Sequence, residues 1–174
     1  MNLYLLRHGI AMAGDQEEVD TDSERPLSSK GTKRMRKIAK GLKRLEIPFD
    51  AVLTSPLIRA RKTAEIVAQT IGLEAYLQEI SGLAPESSVD NLMFGLTRFQ
   101  DRKHLLLVGH EPLLSGILSF VLAGKHGVGL SVDLKKGGLC RIEVDSIPPS
   151  QPGTLHWILA PKQLRLLGQK DGNV

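Results

Sequence analysis

The chain opens on a short apolar run, Leu3-Tyr4-Leu5-Leu6, that stops abruptly at Arg7-His8-Gly9. Its length and composition predict a strand over residues 3–7, closed by a glycine. Residues 14–26 are polar and lack periodicity, so they form a loop. A helix starts near Ser28, which suits an N-cap. Met35, Ile38, Ala39, Leu42 and Leu45 fall on one stripe of it, and Pro48 ends it. Residues 51–54 predict a second strand. Pro56 suits the first turn of the next helix, whose buried stripe is Leu57, Ala60, Ala64, Val67, Ala68 and Ile71 and whose stop is Gly72. A third strand is expected over residues 74–78, a loop over 82–88 and a helix over 89–99. Residues 105–108 are the most hydrophobic strand. Gly109-His110-Glu111-Pro112 follows, then a helix through Leu122. Later strands are expected at 139–144 and 155–159, joined by a turn-rich segment, 146–153, with three prolines. The tail from Gly168 is expected to fray.

Strands that alternate with helices predict an α/β fold: a single-domain three-layer sandwich whose mainly parallel central sheet carries helices on both faces. No repeat, low-complexity tract or second-domain boundary interrupts it. The expected domain spans residues 1–168, with a C-terminal tail at 169–174.

Composition narrows the function classes. The 174 residues suffice for one full core, and 41% hydrophobic with 24% charged residues is ordinary for a globular chain. Aromatics make up only 4%, which argues against a stacking platform for nucleic acid. Cys140 is the single cysteine, so an internal disulfide and a cysteine zinc site are excluded. That usage, and an N-terminus without a basic region before its apolar run, predict a cytoplasmic protein without a membrane segment. The net charge is +4 and unevenly placed. Asp15, Glu17, Glu18, Asp20, Asp22 and Glu24 form an acidic loop. Lys30, Lys33, Arg34, Arg36, Lys37, Lys40, Lys43 and Arg44 follow on the predicted helix. This basic helix reads either as a docking face or as a solvated face partly neutralised by the loop, and the second reading is preferred because no nucleic-acid motif accompanies it.

Chemistry converges where the predicted strands end. The first strand delivers Arg7 and His8. The second runs into Ser55-Pro56 and a helix with Arg59 in its first turn. The fourth delivers Gly109 and His110. In a parallel sheet these ends share one edge, the edge where open α/β sheets hold ligands. Two arginines and two histidines beside helix amino termini suit a phosphoryl group.

Leu6-Arg7-His8-Gly9, Thr54-Ser55-Pro56-Leu57-Ile58-Arg59-Ala60-Arg61-Lys62-Thr63-Ala64 and Val108-Gly109-His110-Glu111-Pro112 resemble, in order and spacing, the histidine phosphatase superfamily. Arg25-Pro26-Leu27-Ser28-Ser29-Lys30-Gly31 resembles a segment of its small members. The likeness runs from residue 3 to about residue 145. The fold it implies is phosphoglycerate-mutase-like, and the short length resembles the SixA-type phosphohistidine phosphatase branch.

The resemblance implies that His8 is the nucleophile and carries a transient phosphohistidine. Arg7 and Arg59 would grip the nonbridging oxygens, and His110, protonated when phosphate is bound, would stabilise them. It implies no cofactor and no metal, and two arginines beside the histidines would repel a cation. Arg61 is the rival of Arg59 and is read as structural. Ser55 is read as a helix cap whose hydroxyl faces the pocket at most. His104, His126 and His156 match no motif. The chain departs from many relatives in lacking a carboxylate in Gly82-Leu83-Ala84-Pro85, where they supply the general acid. Glu111, directly after His110, is either the proton donor or a residue favouring the start of its helix.

The missing acid points to a substrate whose leaving group departs readily. Phosphohistidine in a histidine-phosphotransfer or sensor-kinase domain is therefore the expected substrate, acted on by a monomer or weak dimer. A small-molecule phosphomonoesterase and a non-catalytic phosphate-binding module are the alternatives. A mutase ranks low because the chain has little material for a lid.

Overall fold

In this computed structural model, residues 1–13, 22–124 and 129–169 are described. The chain alternates β1 (Asn2–Arg7), α1 (Ser29–Lys43), β2 (Ala51–Thr54), α2 (Ile58–Ile71), β3 (Leu77–Glu79), α3 (Val89–Leu96), β4 (His104–Gly109) and α4 (Leu113–Ala123). It ends with β5 (Leu139–Glu143), β6 (Thr154–Leu159) and α5 (Pro161–Leu167). The strands form one sheet in the order β3-β2-β4-β1-β5-β6. β1 to β4 run parallel, whereas β5 lies antiparallel to β1, and β6 to β5.

The period of β1 divides the core. Leu3 and Leu5 point into a cluster with Leu92, Leu96, Leu114 and Leu118 of α3 and α4. Tyr4 and Leu6 point into the other, with Met35, Ala64 and Leu164 of α1, α2 and α5. A strand buried on both faces must be apolar at successive positions, which is why Leu3-Tyr4-Leu5-Leu6 reads as a run rather than an alternation.

The register of β1 against β4 pairs Leu6 with Val108 and Arg7 with Gly109. That of β2 pairs Thr54 with Val108. His8, Ser55 and His110 therefore leave the sheet side by side. The chain passes from β1 to β2 across β4, then returns to β5 on the far side of β1. The site thus stands where the connections change direction.

Several elements differ from the sequence expectation. The third strand is displaced: a 3₁₀ turn, Glu74–Tyr76, takes the start of the expected segment, and pairing with β2 begins at Leu77. The Leu77 N–H caps that turn on the Glu74 carbonyl, and Tyr76 stays half exposed, so only the last residues reach the sheet. Helix α2 starts at Ile58 rather than at Pro56, because the Ser55 hydroxyl holds the Leu57 N–H at 3.2 Å and keeps that turn non-helical. Helix α5 is an addition to the elements that the pattern predicts. Pro161 at its first position and the Gln163 side chain, which accepts from the Ala160 N–H at 2.7 Å, were the available signals. Ser28 caps α1 by accepting from the Gly31 N–H at 3.0 Å.

Two glycines set how closely α1 packs. A Cβ at Gly31 would collide with the Ile10 carbonyl, just beyond the end of β1, and one at Gly41 with the Leu164 carbonyl of α5. The first contact holds the loop after His8 against α1, and the second holds α5 against it.

Candidate active site

His8 follows β1 and is buried. Its Nδ1 lies 2.6 Å from the Gly9 carbonyl oxygen. A carbonyl only accepts, so Nδ1 carries the proton and Nε2 keeps its lone pair. Burial pushes the His8 pKa down to about 4, with Arg59, Arg7 and Lys136 adding to the fall and the Gly9 bond opposing it. Desolvation thus outweighs the arginines as the reason that His8 is neutral.

His110 follows β4 and is also buried, with its ring centroid 4.8 Å from that of His8. Its Nε2 lies 2.9 Å from the Ser55 hydroxyl. Burial lowers its pKa to about 3, helped by His8, Arg59 and Arg7 and opposed by Asp22. In the protein without ligand, both imidazoles are neutral at pH 7.

Arg7 ends β1. Its Nη1 donates to the Leu134 carbonyl at 2.9 Å, while its backbone binds Gly137 and Gly138 on the turn before β5. Arg59 lies in the first turn of α2 and is 7% exposed. Its Nη2 meets the Asp22 carboxylate at 2.9 Å and its Nη1 the Asp22 carbonyl at 2.5 Å. The same carboxylate takes Arg25 at 2.7 Å. Thr63, one turn further along α2, ties the two halves together: its hydroxyl accepts from the Gly9 N–H at 3.0 Å and donates to the Arg59 carbonyl at 2.7 Å.

Glu111 starts the turn before α4. Its Oε2 accepts from the Ser115 N–H at 3.1 Å, the geometry of a helix-start residue. Its Oε1 is buried without a protein partner. Among the described residues, the buried side-chain polar atoms in that condition are Arg7 Nε, His110 Nδ1 and Glu111 Oε1. Buried polar atoms are rarely left unpaired. All three belong to the residues singled out at the strand ends.

The remaining sequence assignments separate clearly. Arg61 is exposed and pairs with Glu79 at 3.3 Å. His104 starts β4, at the opposite edge of the sheet, and bonds the Tyr4 hydroxyl at 3.1 Å. His156 meets Glu143 at 2.8 Å on β5 and β6. His126, the acidic residues Asp15, Glu17, Glu18 and Asp20, and the tail beyond residue 169 lie outside the described residues. Ser55 is more than a cap, since its hydroxyl also meets His110. Asp22 and Thr63 were missed as site residues. Asp22 sat in the acidic loop with no pattern to single it out, and Thr63 gave only its place one helical turn after Arg59.

Among the described residues, no group of three or more His, Cys, Asp and Glu side chains gathers to hold a metal ion. No helix among them is long and apolar enough to cross a membrane. What the edge offers is two guanidinium groups, two neutral imidazoles and a hydroxyl, a set suited to an oxyanion.

Comparison with known proteins agrees with this arrangement. Residues 3–84 match the model of the histidine phosphatase superfamily (branch 1). An uncharacterized protein of Picosynechococcus sp. (strain ATCC 27264 / PCC 7002 / PR-6) is 41% identical over 80% of this chain and 82% of its own. The phosphohistidine phosphatase SixA of Escherichia coli (strain K12) is 24% identical over 95% of this chain and 98% of its own. The solved structure of the protein histidine phosphatase SixA with tungstate superposes with a TM-score of 0.78, at 24% identity, covering 94% of this chain and 99% of that one. The chain belongs to the histidine phosphatase superfamily and is a phosphatase of SixA-like length and fold.

Proposed function

We propose that the protein is a cytoplasmic phosphohistidine phosphatase that acts on a signalling protein, with His8 as nucleophile. The observation that carries the reading is the pairing of a neutral His8, its Nε2 lone pair free, with unpartnered buried polar atoms on Arg7 and His110. A phosphoryl group set against them meets a nucleophile on one side and hydrogen-bond donors around its equatorial oxygens. Phosphoryl transfer asks chiefly for this positioning and charge stabilisation.

Transfer proceeds in two displacements at phosphorus. The His8 Nε2 lone pair attacks phosphorus, and the P–N bond of the substrate breaks. The electron pair returns to the substrate imidazole, which leaves neutral because its other ring nitrogen already carried a proton. A new P–N bond now joins the phosphoryl group to His8. Water then attacks phosphorus, the His8 P–N bond breaks with its electron pair returning to Nε2, the proton that the water gives up passes to a phosphoryl oxygen, and inorganic phosphate departs. Arg7 and Arg59 hold the nonbridging oxygens throughout. Arg59 does so by exchanging its bonds to Asp22 for bonds to phosphate. His110 accepts a proton as the dianion binds, because an adjacent negative charge raises a pKa that burial had depressed.

The E. coli relative named as a phosphohistidine phosphatase supports the substrate class. So does chemistry: transfer from one imidazole to another exchanges like bonds, and an imidazole whose other ring nitrogen is already protonated leaves without a strong acid. Glu111 serves as proton donor only for poorer leaving groups, through its unpartnered Oε1. A small-molecule phosphomonoesterase is the second reading, favoured by that same oxygen.

The test is turnover of a phosphorylated histidine-phosphotransfer domain against a sugar phosphate, with His8→Ala as control. A higher kcat/KM for the phosphoprotein, acid-labile phosphate on His8 and an inactive variant are expected. Equal or faster turnover of the sugar phosphate would sink the phosphohistidine reading. An active His8→Ala variant would sink the nucleophile.

A further inference from the structure

A second set of cations stands beside the site, on the face covered by α1 and α5. Arg34 of α1, Arg165 of α5 and Lys136 of the turn before β5 line one cavity with Gly9, Met35 and Pro161. Among the described residues, no acidic side chain lines it. Arg34 and Arg165 are half-buried. Among the described residues, none of the three cations has a hydrogen-bond or ion-pair partner, in contrast to Arg25, Arg59 and Arg61. Half-buried guanidinium groups left unpaired, with another cation beside them, repel one another. A bound anion relieves that repulsion.

Position ties this cluster to the reacting group. Gly9 is a cavity wall and the next residue after His8. Lys136 rides on the turn that is strapped to Arg7: the Arg7 N–H donates to the Gly138 carbonyl at 3.1 Å, and the Gly137 N–H to the Arg7 carbonyl at 2.9 Å. The Lys136 charge is felt at His8. Helices α1 and α5 both begin at the edge of the sheet that holds the site. An anion in the cavity and a phosphoryl group on His8 can therefore belong to one molecule.

Size selects the anion. The cavity is about 20 Å³, room for roughly one water-sized group. A nucleotide or a sugar ring does not fit in it, whereas a side-chain carboxylate can present one oxygen to the cations.

We propose that Arg34, Lys136 and Arg165 form an anion subsite that receives a carboxylate side chain flanking the phosphohistidine of the protein substrate. The proposal rests on the substrate reading above, which it refines: the preferred target carries Asp or Glu beside its phosphorylated histidine.

The test uses two dye-labelled peptides centred on histidine, one flanked by Asp and Glu, the other by Asn and Gln. Binding of the unphosphorylated peptides is measured by anisotropy, and kcat/KM is measured on their phosphohistidine forms. The proteins are the wild type, Arg34→Gln with Arg165→Gln, and Arg34→Lys with Arg165→Lys. The wild type is expected to prefer the acidic peptide by about tenfold in both measurements, as a few half-buried charge pairs supply. The glutamine variant should lose the preference through KM, and the lysine variant should keep most of it. Turnover of p-nitrophenyl phosphate should be unchanged in all three, which shows that the fold and the reacting centre are intact. A glutamine variant that keeps the preference, or one that loses p-nitrophenyl phosphate turnover in parallel, overturns the subsite. So does an oligonucleotide of equal charge that binds more tightly than the acidic peptide. If p-nitrophenyl phosphate is hydrolysed and the phosphopeptides are not, the phosphohistidine reading falls. The arginine-dependent binding preference then decides the subsite by itself.

Discussion

Asp22 grips Arg59 by two bonds, carboxylate to Nη2 at 2.9 Å and carbonyl to Nη1 at 2.5 Å. Arg59 is buried and the Asp22 side chain is 62% exposed, so the carboxylate reaches inward from the surface to a cation in the site. Arg59 and Arg25 hold the Asp22 carboxyl below the usual range, although burial opposes them. Asp22 is therefore ionised at pH 7, and on the proposed reading it is expected to compete with an oxyanion for Arg59. Removing it, in Asp22→Ala, is expected to tighten tungstate binding by about three- to tenfold, as an exposed charge near the site warrants. Titration calorimetry reads the change. Weaker binding in the variant would show instead that Asp22 serves to orient Arg59.

The two buried histidines make stability depend on pH. Their pKa values fall from 6.5 to about 4 for His8 and about 3 for His110. Below pH 6.5 the unfolded chain takes up protons that the folded site refuses. The stabilisation from burying neutral imidazoles is thus fully present above pH 6.5 and is lost as pH falls toward 3. Chemical denaturation between pH 7 and 4 should show stability declining with a slope steeper than that of the double variant His8→Gln with His110→Gln. Parallel slopes would contradict the depressed values.

Oxyanion binding should draw in protons. His110 is neutral without ligand, and a dianion beside it raises its pKa. Calorimetry of tungstate binding at pH 6 in two buffers of different ionisation heat is expected to report net proton uptake, smaller in His110→Gln. Turnover in that variant should fall by about 10²- to 10³-fold, the usual loss when one oxyanion donor is removed. Undiminished uptake in the variant would assign the proton elsewhere.

On the proposed reading, Glu111 is expected to separate leaving groups. With Oε2 on the Ser115 N–H and Oε1 buried and unpartnered, Glu111→Gln keeps the helix-start bond and removes the carboxyl group. Turnover of a sugar phosphate should drop about 10- to 10³-fold, within reach of general-acid contributions, while phosphoramidate turnover stays within about twofold. Equal losses on both substrates would make Glu111 a structural residue alone.

Gly31 links packing to the site. Because a Cβ there meets the Ile10 carbonyl, Gly31→Ala must push the loop after His8 away from α1. A loss of about 1–3 kcal/mol is expected, the usual cost of overpacking, with a fall in kcat exceeding that of Gly95→Ala. Gly95 has open space around its Cβ position and serves as the control. Thermal unfolding and single-turnover rates of the two variants check it.

The fold was legible where local pattern decides it. The apolar run of β1, the Ser28 cap and the stripe of α1 each depend on residues within a few positions of one another. The third strand and α5 were harder to read. β3 is three residues long and takes its place from pairing with β2. Helix α5 is held by the approach of Leu164 and Gly168 to Gly41 of α1, contacts that no window of sequence contains.

The sequence by itself determined which residues stand at the carboxyl ends of β1, β2 and β4. Strand period and helix periodicity are local, and a parallel arrangement of such units brings their ends to one edge. Only the tertiary structure decided the state of those residues. The depressed pKa values of both histidines, the Asp22 carboxylate on Arg59 and the unpartnered cations around Arg34 are each set by groups distant in sequence. Desolvation and Coulomb energy are sums over everything nearby in space, and they exist only once the chain has closed around the site.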